Sequence, residues 1–457
     1  MIEYRYRIVF SQLSAFLLFF IWSNMVWGHG RNPAGMAAMF KKTELHIAGT
    51  SYGLLFKVDQ SGKTKYKMIC EEAMKEQKAT WYHRTPSGRV LVGTFEGLWY
   101  TDDDGCSWTS PDKVLAKHTI PFHAFDPADP NRVFVATSSG NMANGIFESV
   151  DGGKTWKKFG PVDTDLIFGT LLVAPKAEAL WTVVYEIDAE KQGIRQSTDQ
   201  GKTWKNVAAD LSKIEAFNLL WYDTAKKIIY FSAHRKKDGQ ILLFKSEDGF
   251  KTIQEMQGFE DKLMGITRFK DELYLITVEH LFKQAKGKTA FEKVQKIRSQ
   301  CIFTDPSEKS IWLCIDIKQS PGHFLMSENG KDFAPKVLYS DVFEGKCPKG
   351  TTGAEECPKI WPLMQKDGVG LPWKAPEPTP EPNTSEEKIN PTDAGSVGEG
   401  TSPESNTGEK LSADAAEKIG DNTAPGSCGC SLNEEGGSSF ILFTLFVMVL
   451  FLRRYRP

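Results

Sequence analysis

Ser149-Val150-Asp151-Gly152-Gly153-Lys154-Thr155-Trp156 is the stretch that decides the fold, because the chain repeats it. Ser197-Thr198-Asp199-Gln200-Gly201-Lys202-Thr203-Trp204 is a close copy, and residues 101–108 and 246–253 are looser ones. The shared frame puts a hydroxyl first, Asp third, Gly fifth, a hydroxyl seventh and a large apolar side chain last. Each place has a physical reason. The Asp (Asp151, Asp199, Asp103, Asp248) can accept backbone N–H bonds inside a tight turn. The Gly (Gly153, Gly201, Gly105) supplies a positive φ, after which Thr155 or Thr203 leads back into a strand. Trp156, Trp204 and Trp108 are large enough to wedge between neighbouring sheets.

Around these turns, strand-like runs recur. They begin near Leu45, Val90, Val133, Leu180, Ile228, Leu273 and Ile311, at intervals of 45, 43, 47, 48, 45 and 38 residues. Each run is followed by a second strand and then by the turn. A period of about 40–50 residues with four short strands per unit predicts an all-β, seven-bladed β-propeller over residues 29–374. The turns of units one, six and seven, at 57–65, 283–290 and 327–333, keep only fragments of the pattern. Ring closure calls for strands from both chain ends in one blade, and 31–44 and 338–371 are the segments available for it.

The octapeptide resembles the Asp-box of BNR-type β-propellers, which occurs in sialidases, sortilin-like receptors and many non-enzymatic propellers. The resemblance implies that the box is structural, placed on the outer rim of a blade and away from the axis where propellers bind. A second resemblance covers most of the chain. His29-Gly30-Arg31, Pro33, Ile69-Cys70, Gly97-Leu98 and Asp103-Asp104-Gly105-Cys106-Ser107-Trp108 are similar to a group of uncharacterised exported propellers that end in a MYXO-CTERM tail. It implies a cut before His29 and brings no known activity.

Both ends read as export signals. Arg5 and Arg7 precede a mostly apolar run from Ile8 to Trp27, and Val26 and Gly28 suit the −3 and −1 places of a cleavage site. Residues 1–28 are therefore expected to be a signal peptide, with an uncleaved anchor as the alternative. Residues 375–427 are rich in Pro, Glu, Ser, Thr and Gly and are expected to form a disordered acidic stalk. Residues 375–421 alone carry net −8, which leaves +6 for the rest of a chain whose total is −2. That balance sets bulk nucleic-acid binding aside. Residues 428–457 hold Cys428-Gly429-Cys430, a short apolar run and Arg453, Arg454 and Arg456. This order resembles a MYXO-CTERM sorting tail, and Gly436-Gly437 is similar to the GlyGly-CTERM variant. The resemblance implies proteolytic sorting to a bacterial surface; a permanent transmembrane anchor with its Arg residues inside is the other reading.

Eight cysteines in such a chain point to disulfides. With Cys428 and Cys430 assigned to sorting, six remain. Cys301 and Cys314 flank adjacent strands of one blade. Cys347 and Cys357 close a short loop after the last blade. Elimination leaves Cys70 with Cys106, a pairing that the second resemblance supports.

Catalysis finds no purchase in the pattern. A sialidase needs three Arg, a Tyr/Glu pair and an Asp, whereas Arg84, Arg89 and Arg132 sit in turns or at strand edges. Xyloglucanase-type glycosidases use two propellers with paired Asp. An N-terminal His29 holding copper would need a partner, but His46, His83, His118, His123, His234, His280 and His323 show no ligand spacing. Asp102-Asp103-Asp104 is too small a set for calcium, and the basic run His234-Arg235-Lys236-Lys237 reads as a hairpin tip. No catalytic residue, cofactor or metal is expected. The reading is a non-enzymatic, surface-tethered, monomeric head that binds or scaffolds an extracellular protein or glycan. A BNR-type glycoside hydrolase or lyase, and an assembly factor for a membrane complex, are the alternatives.

Overall fold

The computed structural model describes residues 33–41, 44–74, 78–140 and 142–375. The expected leader, acidic stalk and Cys-Gly-Cys tail lie outside these residues. Seven sheets follow one another along the chain, each built on an antiparallel meander whose strands pair in sequence order. Their second strands are Glu44–Thr50, Val90–Thr94, Asp129–Ala136, Leu180–Glu186, Ile228–Arg235, Glu272–Thr277 and Ile311–Cys314, the seven runs that the period predicts. The chain is a seven-bladed β-propeller.

Blade stacking explains the residues. Second strands are covered on both faces by neighbouring blades, so they read as unbroken apolar runs rather than as alternation. Val90–Thr94 and Ile311–Cys314 are buried throughout, whereas the outermost strand of blade 6, Glu292–Lys296, is exposed throughout. Separate apolar clusters fill the spaces between adjacent blades; Trp81, Leu91, Val133 and Val135 bind blade 2 to blade 3. Blade 2 has only three strands, its fourth reduced to a bridge between Tyr100 and Thr109. Pro111 follows two residues later and cannot donate to a ladder.

The first and last described strands meet in blade 1. Gly35–Lys41 is its innermost strand, and Val342–Glu344 adds a fifth strand at its outer edge, parallel to Lys63–Cys70. The seam with blade 7 is sewn by the N–H of Gly35 to the carbonyl of Ile315 (3.1 Å) and the N–H of Ile317 to the carbonyl of Pro33 (2.8 Å). The buried hydroxyl of Tyr339 donates to Pro33 (2.7 Å). Beneath it, fully buried His323 donates from Nδ1 to the carbonyl of Val337 (2.6 Å), which leaves Nε2 to accept from the hydroxyl of Tyr52.

A helix, Thr352–Lys366, then lies against the end of blade 1, capped by Thr351 and burying Gly353, Cys357 and Met364. It corrects two of the three expected disulfides. Cys301 bonds to Cys314, but Cys70 bonds to Cys357 and Cys106 to Cys347. Cys70–Cys106 and Cys347–Cys357 are therefore not formed. The reason is the helix. It carries Cys357 onto the end of the strand that finishes at Cys70, while Cys347, before the helix begins, stays beside the turn that holds Cys106. The expectation joined Cys347 to Cys357 because they lie close in sequence, and Cys70 to Cys106 by elimination; the helix separates the first two.

Candidate functional site

The repeated octapeptide forms the turn between the third and fourth strands of its blade. In blade 3, Asp151 Oδ1 accepts the hydroxyl of Ser149 (2.8 Å) and the N–H groups of Lys154 (3.0 Å) and Thr155 (2.9 Å). Its Oδ2 accepts the hydroxyl of Thr155 (2.7 Å). Burial alone would raise the Asp151 pKa. The bonds from Thr155, Ser149 and Lys154 outweigh it and bring the carboxyl down to about 2. Asp199, Asp248 and Asp103 accept the matching N–H of Thr203, Thr252 and Ser107. The hydroxyls of Ser149, Ser197 and Thr101 accept the N–H of Gly153, Gly201 and Gly105 (2.8–2.9 Å).

Gly153 shows why the fifth place is Gly. Its φ is +82°, and a Cβ there would stand 2.5 Å from the side chain of Leu91 in the preceding blade. In blade 5 the place is taken by Phe250, held at φ +66° and fully buried against Phe231, its ring centroid 5.1 Å away. The fragmentary turn at 327–333 works as a shortened box: Asn329 Oδ1 accepts Lys331 and Asp332 N–H at 2.9 Å. Asn can therefore do the work of Asp. Asp151→Ala should lower stability by about 1–3 kcal/mol, while Asp151→Asn should lose well under half of that. Thermal unfolding of the two variants checks this, and equal losses would refute it.

The boxes of blades 3 and 4 border a cleft of about 850 Å³. Arg132 organises it. Its Nε donates to Glu148 (2.6 Å), its Nη2 to Gln200 in the blade 4 box (2.7 Å), and its Nη1 to the carbonyl of Lys176 (3.2 Å). Glu148 is buried and also pairs with Lys157 (3.0 Å). Arg195 is taken by Glu186 (2.6 Å). Among the described residues, the exposed Lys158 and Lys202 of this cleft have no carboxylate at ion-pair distance. The apolar lining is Val150, Phe159, Pro161 and the half-buried Trp204. Gly160 leaves room for that indole, since a Cβ there would lie 2.5 Å from its Nε1.

A second cluster lies between the innermost strands of blades 2 and 3. Trp81 stacks on His123 (4.1 Å between centroids), His83 stacks on Phe125 (5.2 Å), and the two imidazoles are 5.7 Å apart. Burial lowers His83 to about 4, against a bond to the Pro130 backbone, and lowers His123 to about 3, helped by His83. Both are neutral at pH 7. No group of three or more His, Cys, Asp or Glu able to hold a metal occurs among the described residues.

The other residues weighed from sequence have separate partners. Arg89 makes a two-pronged pair with Asp102 (2.9 and 2.6 Å) and lies over the Tyr100 ring. Asp104 faces Lys67 (3.6 Å) and Asp103 belongs to its box. Arg235 is tied to Asp238 and Gln240 of its own hairpin and to Glu255 of the blade's fourth strand. The cleft itself escaped sequence reasoning because its lining is spread from Arg132 to Trp204, and only the ring geometry brings it together.

A family model described as Sortilin-Vps10 matches residues 96–283. This Asp-box segment spans blades 2 to 6 in part. No curated protein matches the sequence. Among solved structures, an ancestral GH74 enzyme aligns with 66% of this chain and 46% of its own, at 11% identity and a TM-score of 0.49. The GH74 enzyme of Niastella koreensis aligns with 64% of this chain and 50% of its own, at 16% identity and a TM-score of 0.40. YCF48 bound to D1 peptide aligns with 57% of this chain and 83% of its own, at 14% identity and a TM-score of 0.41. The chain spans about half the length of the two GH74 structures. At these identities the likeness is one of fold. It nevertheless corrects one expectation: the chain was read as a non-enzyme, and that exclusion does not stand beside neighbours that are GH74 enzymes.

Proposed function

We propose that this propeller is the ligand-binding head of an exported surface protein, and that it takes a glycan in the cleft between blades 3 and 4. The observation that carries the reading is Trp204, half-buried against Gly160, with Val150 and Pro161 beside it and Gln200, Lys158 and Lys202 at the edge. An aromatic face with a few polar groups around it suits a sugar ring, whose C–H faces are apolar and whose hydroxyls are not. Export is supported by the three disulfides, which persist in oxidising compartments, and by the leader-like first 28 residues. The acidic segment and Arg-ended tail would hold the head at a bacterial surface.

The test is retention of the full chain on a panel of immobilised neutral and acidic polysaccharides, with reducing-end release assayed in the same samples. Wild type should be retained, and Trp204→Ala should lose roughly tenfold or more in affinity. Lys202→Glu, at an exposed site, should weaken retention on acidic polymers without changing the melting temperature. Retention unaffected by both substitutions would sink the assignment of this cleft. Release of reducing ends would add hydrolysis to binding.

A further inference from the structure

The turns between third and fourth strands occupy equivalent places around the ring, so each residue has counterparts. At the third place, Asp103, Asp151, Asp199, Asp248 and Asn329 all accept backbone N–H groups. In blade 6 the turn reads Gln284-Ala285-Lys286-Gly287-Lys288-Thr289-Ala290-Phe291, and the third place is Lys286. Both flanking strands fix this alignment. The third strand ends at Gln284 as it ends at Ser149, Ser197 and Ser246 elsewhere. The fourth begins at Glu292, next to Phe291, as it begins at Lys205 next to Trp204. An ammonium has no acceptor, so Lys286 cannot do what the acid does in the other boxes.

Lys286 instead lines a cleft of about 420 Å³ between blades 5 and 6. Lys226, Lys245, Arg268 and Lys288 line it too, with Asp271 the one acid in the lining. A second reversal accompanies the first. The residue before the box hydroxyl is Glu148 in blade 3 and Lys245 in blade 5. So at two matched places, where the cleft between blades 3 and 4 has Glu148 and the adjoining Asp199, this one has lysine. Arg268 is held in position by buried Asp223 (2.8 and 2.5 Å). Lys286 meets Asp271 (3.0 Å) where both are exposed, and such a pair is worth little. Among the described residues Lys226 and Lys288 have no carboxylate at ion-pair distance. Ile228, Met256 and Leu273 give the cleft an apolar wall.

We propose that the cleft between blades 5 and 6 is an anion site that takes the sulfate or phosphate monoester group of a ligand, with Lys286 and Lys288 as its recognition residues. Such a group offers several terminal oxygens to converging ammonium and guanidinium donors, and the apolar wall accommodates the body that carries it. This site stands apart from the glycan cleft between blades 3 and 4 and does not depend on it.

The experiment is calorimetric titration of the full chain with inorganic phosphate, inorganic sulfate and glucose 6-sulfate, alongside sedimentation with phosphatidylcholine vesicles containing phosphatidic acid. Saturable binding of at least one probe that weakens with added salt is expected, and the arms tell a free anion, a sugar ester and a lipid head group apart. Lys286→Asp restores the acid of the other boxes, so it should fold as well as wild type yet bind roughly tenfold or more weakly. Lys288→Gln, at an exposed side chain, should weaken binding in the same direction. Lys349→Gln, at an exposed side chain in neither cleft, should leave it unchanged. The proposal is overturned if no probe binds saturably, if both blade 6 variants bind as wild type does, or if Lys349→Gln weakens binding as much as they do.

Discussion

Replacing Cys70 by Ser should destabilise the propeller by about 4 kcal/mol, and replacing Cys106 as well should cost about 5 kcal/mol more. The two bridges are nested: Cys106–Cys347, with a separation of 241, lies inside Cys70–Cys357, with a separation of 287. While either bridge is intact, removing the other frees only the 36 residues from Cys70 to Cys106 and the 10 from Cys347 to Cys357. The second removal frees the whole ring. Loop-closure entropy rises with the logarithm of the loop freed, so the second loss exceeds the first and the effects are not additive. Urea unfolding of the single and double variants measures this. A Cys70→Ser midpoint equal to wild type would show that the parallel strand Val342–Glu344 and the helix hold the seam without covalent help.

The second large effect is on acid stability. His323 is fully buried, and burial lowers its pKa to about 4 despite its bond to the Val337 carbonyl. Unfolded, the same imidazole titrates at about 6.5. The folded-state value is the lower one. The stability it confers is therefore complete above about pH 6.5 and is lost as pH falls toward 4, because the unfolded chain takes up the proton first. The span is worth about 3 kcal/mol for His323. His83 and His123, lowered to about 4 and about 3, add losses of the same sign. The box carboxyls act later. Asp151 at about 2 loses its contribution only below about pH 4. Melting temperatures of wild type and His323→Gln between pH 7.5 and 4 check the assignment. The variant should start lower and fall less steeply, and parallel curves would show that His323 does not set the slope.

How much of this could be read from the sequence depends on the range over which each signal acts. The blades were legible because a run such as Val133 to Ala136 and a turn such as 149–156 are local, and their repetition sums seven weak signals into one. Blade 7 hid its box because Asn329 replaces the acid while keeping the acceptor oxygen. The helix at Thr352–Lys366 was hidden by Pro358 and Pro362, whose intrinsic cost is overcome by packing against blade 1 and by the bond from Cys357. Once the helix was missed, two cysteine pairings followed wrongly. Neither cleft was legible as a cavity, since each is built from two blades. Lys286 was not legible as a reversed charge either: matching Gly287-Lys288-Thr289 to Gly153-Lys154-Thr155 puts Ala285 in the third place, and only the strand ends at Gln284 and Glu292 move the frame to 284–291.

The nested bridges also set an order of events. A chain made from its amino end presents Cys70 first and Cys106 only 36 residues later, whereas the true partners, Cys347 and Cys357, arrive after more than two hundred further residues. For most of synthesis, the nearest thiol available to Cys70 is the wrong one. The pairing that sequence proximity favours is thus the competitor that the growing chain must avoid or undo. Exchange through a mixed disulfide is the chemistry that undoes it. A ring that closes last is a ring whose completion waits for Cys347 and Cys357.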